Sequence, residues 1–574
     1  MVAAAPRIQK RLTMQVEPNI AADTTAMRSL DWDRDRFDIE FGLQNGTTYN
    51  SFLIRGEKTA LVDTSHAKFR ELYLETLKSQ IDPSEIDYIV ISHTEPDHSG
   101  LVPDILALAP NATIVGAKVA LTFLDNLVHQ PFERLPVKSG SQLDLGNGHL
   151  LEFVNAPNLH WPDTIFTYDH KSQVLFTCDA FGLHYCSDDV YDVDLTAISP
   201  DFRFYYECLM APNARSVLSA MKRMDKLPEV NTIATGHGPL LHHHVTELTG
   251  RYRQWSQEKS QSETLVAVFY MSDYGYSDRL SQAIARGITK TGVAVEMMDL
   301  RSADPQEVNE LVGRARGIVI GMPPASGIKV SQAALGTILA AVSDKQAIGL
   351  FESYGGDDEP IDTLLTRFQD LELRVGFAPI RIKDTPDEAV YQLCDEAGTD
   401  FGQILGQAKK LKKLKTLNAE MEKALGRITS GLYIITAQKG EISSAMLASW
   451  VSQASFQPLG FTVAVAKDRA IESLMQVGDT FVLNVLEEGN YAALMKHFLK
   501  RFPPGGDRFA GIRTRPAQNG SPLLGDALAY LECTVTSRME VSDHWVVYCT
   551  VDDGKVSDPY GTTAVHYRKV GTYY

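Results

Sequence analysis

"IDYIVISHTEPDHSG", residues 86 to 100, opens as a buried strand and breaks into a run of metal-binding residue types. Ile86 to Ser92 is short, apolar and rich in β-branched residues, the text of a strand inside a sheet. His93, Glu95, Asp97 and His98 follow within six positions. In an extended loop His93, Glu95 and Asp97 alternate towards related directions, and His98 adds a second direction. Four ionisable groups packed this closely repel and desolvate one another unless a cation sits among them. Strand ends are also where open α/β sheets place their sites.

Further candidates recur at strand ends. His160 lies in "NAPNLHWPDT", Asp179 follows "QVLFTC", and His237 lies in "NTIATGHGPL". Singly, each reads as a cap or packing residue, and they gain weight from the cluster at 93 to 98. Asp63 in "ALVDTS" fits either a group orienting a ligand histidine or a strand-end cap. His242, His243 and His244 read as a partly exposed turn or helix start.

Outward from this loop, the chain changes character twice. Up to about residue 258 strands alternate with amphipathic helical text, as in "RFDIEF", "TALVDTS" and "HAKFRELYLETLKSQI". Asn45-Gly46 carries a hairpin signal. From "TLVAVFYMS" onward strand and helix alternate regularly, which predicts a doubly wound parallel sheet. After the basic connector "AKKLKKLKTLNAE", whose Lys409, Lys410, Lys412, Lys413 and Lys415 form a solvated face, the text becomes strand-rich and barrel-like. Three domains are expected, at 30–258, 263–405 and 420–574.

"FYMSDYGYSDRL" stands between the first strand and first helix of the second domain. Its hydroxyl- and glycine-rich loop offers backbone N–H groups and a helix N-terminus to a phosphate. It matches neither the nucleoside-triphosphate loop nor the dinucleotide fingerprint. A short loop cradling one phosphate fits FMN, with Ser272, Tyr274, Gly275, Tyr276 and Ser277 as candidates. Two later loops fall where the flavin ring should lie: Pro323, Pro324, Ala325, Ser326 and Gly327, then Ser353, Tyr354, Gly355 and Gly356. Asp273 sets a negative charge beside the expected phosphate.

Composition limits the rest. Among 574 residues the hydrophobic fraction is 44% and the charged fraction 22%, values ordinary for a globular protein. A formal net charge of -17 argues against a nucleic-acid partner, which needs a basic face. No apolar run approaches the ~20 residues of a membrane span, and the start lacks a signal-peptide core. Six scattered cysteines read as reduced thiols, which gives a cytoplasmic expectation.

The pattern HxExDH, then His, Asp and His, resembles that of the flavodiiron proteins, whose metal-binding domain has the metallo-β-lactamase-like αββα sandwich. Carboxylate at Glu95, where zinc hydrolases of that fold usually show histidine, shifts the expected metal from zinc towards iron or manganese. The resemblance implies two irons, one held by His93, Glu95 and His160, the other by Asp97, His98 and His237, with Asp179 bridging. It also implies a flavodoxin-like FMN domain. The third domain, through "AMLASWVSQASFQPLGFTVAVAKDRA", resembles a flavin-reductase split β-barrel, with Ser449, Trp450 and Ser452 lining a flavin site and Lys467 and Arg469 meeting its phosphate. Leu459 stands where that family often has a second proline.

The whole arrangement is similar to the flavodiiron proteins of cyanobacteria and other oxygenic phototrophs. It implies an oxidoreductase that takes hydride from NAD(P)H onto FMN or FAD, passes electrons through FMN, and reduces O2 to water at the diiron site. The implied role is an electron sink protecting photosynthetic electron transport. A head-to-tail homodimer, or a hetero-oligomer with a paralogue, would bring the flavin of one subunit to the iron of the other, and ferredoxin is a conceivable donor. The alternatives are nitric oxide reduction on the same scaffold, a zinc hydrolase fused to a redox module, and a regulatory subunit.

Overall fold

The computed structural model describes residues 12–34, 36–37, 41–260, 264–271, 277–301, 303, 305–322, 332–343, 345–353, 366, 368, 373–382, 385–413 and 419–567. Two sheets face each other in the first unit. One holds seven strands, in spatial order Thr13–Ala21, Thr24–Asp31, Thr47–Arg55, Thr59–Val62, Ile86–Val90, Thr113–Ala117 and Glu133–Val137. The other holds Gln142–Gly146, His149–Asn155, Ile165–Asp169, Val174–Cys178 and Thr232–Thr235. A shared core that includes Phe52, Val62, Val90, Phe153 and Phe176 lies between them. The Arg70–Gln80, Val102–Leu108 and Lys118–Leu127 helices cover the outer face of the first sheet, and Leu195–Tyr205, Ala214–Met224 and Val245–Ser260 that of the second. This is the expected αββα sandwich.

Two details depart from the sequence reading. The sheet takes in the hairpin Thr13–Ala21 and Thr24–Asp31, ahead of the expected boundary at residue 30. Every residue of Thr24–Asp31 is buried, among them Thr24, Thr25, Arg28, Ser29 and Asp31, so the strand has no apolar alternation to read. Asn45-Gly46 closes no hairpin. The short strand before it, Phe41–Gly42, pairs with Arg36–Phe37, whereas Thr47–Arg55 after it pairs with Thr24–Asp31. Gly46 instead takes the left-handed backbone (φ +63°) that lets the chain pass over the Asp31 carbonyl.

The second unit is an all-parallel sheet. Its order is Ala294–Asp299, Leu265–Tyr270, Gly317–Met322 and Ala347–Ser353, with Arg374–Val375 and Ile380–Ile382 both paired to the last. Strand two outside strand one is the flavodoxin-like order, with its switch point between the first and third strands. The closing helix Glu388–Lys413 runs past the expected boundary at 405, because Leu405 to Lys413 is mostly good helix-forming text. Side chains of the lysine connector lie outside the described residues.

The third unit is a seven-stranded antiparallel sheet ordered Ile442–Ala448, Tyr433–Lys439, Thr480–Val485, Ala529–Val541, His544–Val556, Leu459–Ala466 and Val451–Phe456. Its two edge strands, Ile442–Ala448 and Val451–Phe456, are joined by Ser449 and Trp450 alone. A two-residue link between opposite edges requires the sheet to curl until they meet, which makes a split barrel. Among the described residues no helix is long and apolar enough to cross a membrane.

Candidate metal centre

Each candidate ligand leaves the C-terminal end of a strand. The loop after Ile86–Val90 carries His93 and Glu95 on extended backbone, then turns into one helical turn, Pro96–Ser99. The sequence reading placed all four groups on an extended loop. Pro96 at the first helical position ends that stretch, so Asp97 and His98 project from a helix start. Thr64 fixes the turn from below: its N–H and its hydroxyl both donate to the His98 carbonyl, at 2.7 and 2.5 Å. Asp163 pins the loop from the side, accepting the Thr94 N–H at 3.0 Å and the Thr94 hydroxyl at 2.6 Å. Asp63 accepts the Ser92 N–H at 2.8 Å, which favours its strand-end cap reading.

The seven sequence-predicted ligands converge. Asp179 is central and 1% exposed. Its Oδ2 lies 3.2 Å from His93 Nε2 and 2.8 Å from His160 Nε2, while its Oδ1 lies 3.1 Å from His98 Nε2 and 3.2 Å from His237 Nε2. Glu95 Oε2 is 2.8 Å from His160 Nε2 and 3.4 Å from His93 Nε2. Asp97 faces the other pair, 3.6 Å from His98 and 3.4 Å from His237. The geometry thus sorts the ligands into His93, Glu95 and His160 on one side and Asp97, His98 and His237 on the other, with one oxygen of Asp179 turned to each.

The donor set fits a pair of cations. Asp97 Oδ1, His160 Nε2 and Asp179 Oδ2 are buried yet make no hydrogen bond of acceptable geometry among the described residues, although they lie within ion-pair range of neighbours. They aim at shared space rather than along N–H axes. The His237 Nδ1–H donates to the Thr48 carbonyl at 2.7 Å, which fixes the tautomer that leaves the Nε2 lone pair free for a metal. Burial alone would push the His160 imidazole down, but Glu95 and Asp179 carry it up to about 10. His237 rises to about 10 against its burial, through Asp179 and Asp97. Burial would raise Asp179, yet His93 and His98 hold it well below the ordinary carboxylate range. Imidazolium protons here do the neutralising that metal cations take over. Three carboxylates and four imidazoles form a harder set than a zinc hydrolase offers, suited to iron or manganese.

Cys178 lies with His93, His98 and Asp179 in the same cluster. Burial raises its thiol well above the ordinary range, and a neutral thiol is a poor ligand. A cavity of about 100 Å3 opens over the site, lined by Arg34, Thr47, Tyr49, His66, Glu95, Pro96, Asp97, His184 and Arg279. It holds a diatomic molecule and a few waters at ~30 Å3 each. His184, which burial keeps well below the ordinary imidazole range, sets its ring 4.7 Å from that of His237 and pairs with the Thr47 hydroxyl at 2.7 Å. His242, His243 and His244 stay away from the metal cluster, their backbone N–H groups donating to the Asp192 carboxylate.

Sequence reasoning passed over Asp163, the Thr48 carbonyl, His184, Arg279 and Gln282. Asp163, three residues after His160, was within reach of a spacing argument. A backbone carbonyl leaves no sequence signal, and the other three act across long separations.

The flavin candidates divide. Ser272, Tyr274, Gly275, Tyr276, Pro323, Pro324, Ala325, Ser326, Gly327, Tyr354, Gly355 and Gly356 lie outside the described residues, as does the side chain of Ser353. Ser277 is fully buried at the start of the Ser277–Lys290 helix. In the third unit Ser449 is buried at the barrel seam, and the Trp450 ring stands 5.0 Å from that of His544. Lys467 pairs with Glu540 and lies 5.1 Å over the Trp545 ring. Ser452 and Arg469 are exposed, the first on the edge strand and the second ahead of the Ala470–Leu474 turn.

An αββα sandwich with a carboxylate-rich dinuclear cluster, joined to a flavodoxin-like sheet and a flavin-reductase-like barrel, defines a flavin-dependent non-heme oxidoreductase. Family models agree: "ODP family beta lactamase" matches residues 47–238 and "Flavin reductase like domain" residues 425–573. The chain is 68% identical over 566 residues to Diflavin flavoprotein A 1 of Synechocystis sp. strain PCC 6803, covering 99% of each chain. It is 66% identical over 575 residues to Putative diflavin flavoprotein A 3 of Nostoc sp. strain PCC 7120, covering 100% of each. Among solved structures it resembles the metal-soaked Flv1 flavodiiron core from Synechocystis sp. PCC 6803, with 39% identity and a TM-score of 0.64 over 69% of this chain and 99% of that one. The chain therefore belongs to the diflavin flavoprotein A family of flavodiiron proteins. Flavodiiron proteins are oxidoreductases that reduce oxygen or nitric oxide and bind two irons and FMN, and the flavin reductase like domain implies interaction with flavin and NAD(P)H. The zinc-hydrolase alternative falls with that membership.

Proposed function

We propose that this chain is an NAD(P)H:oxygen oxidoreductase that reduces O2 to water. The observation that carries the reading is a complete seven-residue ligand set under a cavity of about 100 Å3, in one chain with two flavin-type units. Organic substrates need pockets of ~300 Å3 or more. A bound iron pair would supply the redox chemistry for reducing a diatomic molecule.

The chain's own residues do the rest. His93, Glu95 and His160 would hold one metal and Asp97, His98 and His237 the other, with an oxygen of Asp179 offered to each. Thr48 and Asp163 keep the ligand loops in place, and His184 and Tyr49 wall the cavity. In the barrel, Ser449, Trp450 and Ser452 would line the flavin and Lys467 and Arg469 would meet its phosphate; in the flavodoxin-like unit the first loop with Ser277 would take the FMN phosphate and the two later loops its ring. Four electrons and four protons convert O2 to two waters, so two NAD(P)H are consumed per O2. We assign the domain limits, a cytoplasmic location, a role as an electron sink for photosynthetic electron transport, and NADPH as donor to the same reading.

The test is O2 uptake by the iron- and flavin-loaded protein given NADPH, with and without catalase. Uptake unchanged by catalase, at two NADPH per O2, is expected. Uptake halved by catalase, at one NADPH per O2, would mean free peroxide and overturn the reading. A parallel run with nitric oxide, scored by nitrous oxide formed, fixes the substrate preference.

A further inference from the structure

The floor of the metal centre carries a sulfur that neither half-site uses. Cys178 ends the Val174–Cys178 strand and is 2% exposed. Along a regular strand Cys178 and Asp179 would face opposite sides. Here the register against Thr232–Thr235 slips between Phe176 and Cys178, and Cys178 takes left-handed backbone (φ 52°). An irregularity of this kind re-aims side chains, and both Cys178 and Asp179 turn into the cluster. Gly236 leaves room for the sulfur: a Cβ there would stand 3.1 Å from Cys178 Sγ and 2.8 Å from His98 Cε1.

The result is a third group of donors that overlaps the other two. One donor atom each from His93, His98, Cys178 and Asp179 lie within 4.8 Å of one another, and all four residues are buried. Two imidazole nitrogens, a carboxylate oxygen and a sulfur match the number and kind of ligands that tetrahedral zinc takes. The iron half-sites offer nitrogen and oxygen alone. A sulfur ligand shifts preference towards softer cations, and zinc outranks ferrous iron at a common set of ligands. The buried thiol stays neutral on its own, but a coordinated thiol gives up its proton outright. Glu95 and Asp97 line the cavity over the site and offer an incoming cation a negative entrance.

We propose that His93, His98, Cys178 and Asp179 form a second metal site, which takes one thiophilic divalent cation, zinc above all, and thereby excludes the iron pair. The occupied site draws His93 from one half-site, His98 from the other and Asp179 from both. Glu95 and His160 are left on one side and Asp97 and His237 on the other, too few donors to retain iron. Binding forms a zinc–sulfur bond and breaks the S–H bond; the proton leaves for solvent, and no electron moves. Metal supply, as well as the ligand set, therefore decides whether the chain becomes an active oxidoreductase. This holds whichever diatomic molecule the iron pair reduces.

The test uses the full flavin-loaded chain, stripped of metal by a chelator and given one equivalent of zinc chloride. Zinc-edge X-ray absorption should show one sulfur neighbour at ~2.3 Å beside nitrogen and oxygen at ~2.0–2.2 Å. Ferrous iron added afterwards should fail to load, as read by iron analysis after gel filtration. Cys178→Ser should lose the sulfur neighbour, bind zinc ~10-fold or more weakly, and recover iron loading in the presence of zinc. Cys178→Ala gives the same reading where serine upsets folding. Zinc held by nitrogen and oxygen alone in the wild-type chain would overturn the proposal. So would a sulfur neighbour that persists in Cys178→Ser, or full iron loading over bound zinc. The oxygen reading stands or falls separately, on the uptake assay.

Discussion

Gly236 precedes His237 and lies against the ring of His98, which makes Gly236→Ala a clean probe of the metal centre. A Cβ there would stand 2.8 Å from His98 Cε1 and 3.1 Å from both the Cys178 carbonyl carbon and its sulfur. Gly236 lies outside the left-handed region, so alanine adds no backbone strain and the effect is steric. Restoring an ordinary 3.4 Å contact needs a ring shift of about 0.6 Å. The His98 carbonyl is held by Thr64 and its Nε2 lies 3.1 Å from both Asp179 and His237, so the ring has little room to yield. Metal–ligand distances tolerate only ~0.2 Å. The half-site of Asp97, His98 and His237 should lose affinity, while that of His93, Glu95 and His160 keeps its geometry. Overpacking costs ~1–3 kcal/mol, and displaced ligand support costs ~10–100-fold in metal affinity. Iron analysis after reconstitution and gel filtration should fall from about two to about one per chain, with a lower Tm and loss of O2 reduction. Two retained irons with an unchanged ferric spectrum would refute the assignment of His98.

Three further outcomes follow from the same structure. Asp163→Ala frees the Thr94 N–H and hydroxyl and should lower stability by ~1–3 kcal/mol in denaturant titration, with weaker iron retention; full stability would show that Asp163 does not hold the loop. Iron loading should release about three protons per chain near pH 7, since His93 stands well above its ordinary value and His160 and His237 stand at about 10 in the metal-free protein; pH-stat release below one proton would contradict that electrostatic picture. Glu472→Gln should destabilise docking of the barrel by ~3–5 kcal/mol, the scale for breaking a buried ion pair. Burial would raise the Glu472 carboxyl, but Lys290 and Arg538 hold it well below the ordinary range. Its folded value is depressed, so the stabilisation is present above the ordinary carboxylate value and lost as pH falls towards the folded one. The wild-type advantage in Tm should therefore be full at pH 7 and shrink in acid; a gap constant across that range would be inconsistent with the ion pair.

Residue type and spacing made the metal centre legible because its ligands are rare types at strand ends. His93, Glu95, Asp97 and His98 occupy six positions, and His160, Asp179 and His237 each follow an apolar run. What holds them was less legible. The Thr48 carbonyl is a backbone atom, and Gln282 reaches His160 across a separation of 122 residues. The parallel sheet was readable from alternating strand and helix text, whereas the opening hairpin was hidden by Arg28, Ser29 and Asp31 inside Thr24–Asp31. The Asn45-Gly46 signal correctly marks a left-handed glycine but says nothing of which strands it joins.

Four of the nine non-glycine residues with left-handed backbone among the described residues lie beside the metal centre. Asp63 (φ 56°), Asn158 (φ 64°), Cys178 (φ 52°) and Phe181 (φ 66°) all flank ligand loops. Such conformations cost ~1–3 kcal/mol each and persist where surrounding structure over-determines them. Asn158 shows how. Asparagine tolerates this region better than most residues, and its side chain repays the strain by accepting from the Tyr270 hydroxyl at 3.0 Å and donating to the Met297 carbonyl at 3.4 Å. Those partners lie on adjacent parallel strands of the flavodoxin-like sheet, Tyr270 at the end of one and Met297 within the other. Two residues on, the same loop delivers His160 to the metal centre, and Gln282 of that unit holds the His160 carbonyl. The loop that shapes a ligand is thus also the loop on which the redox unit docks. A change that loosens docking at Asn158 must disturb His160, and metal geometry and placement of the redox unit form one structural element.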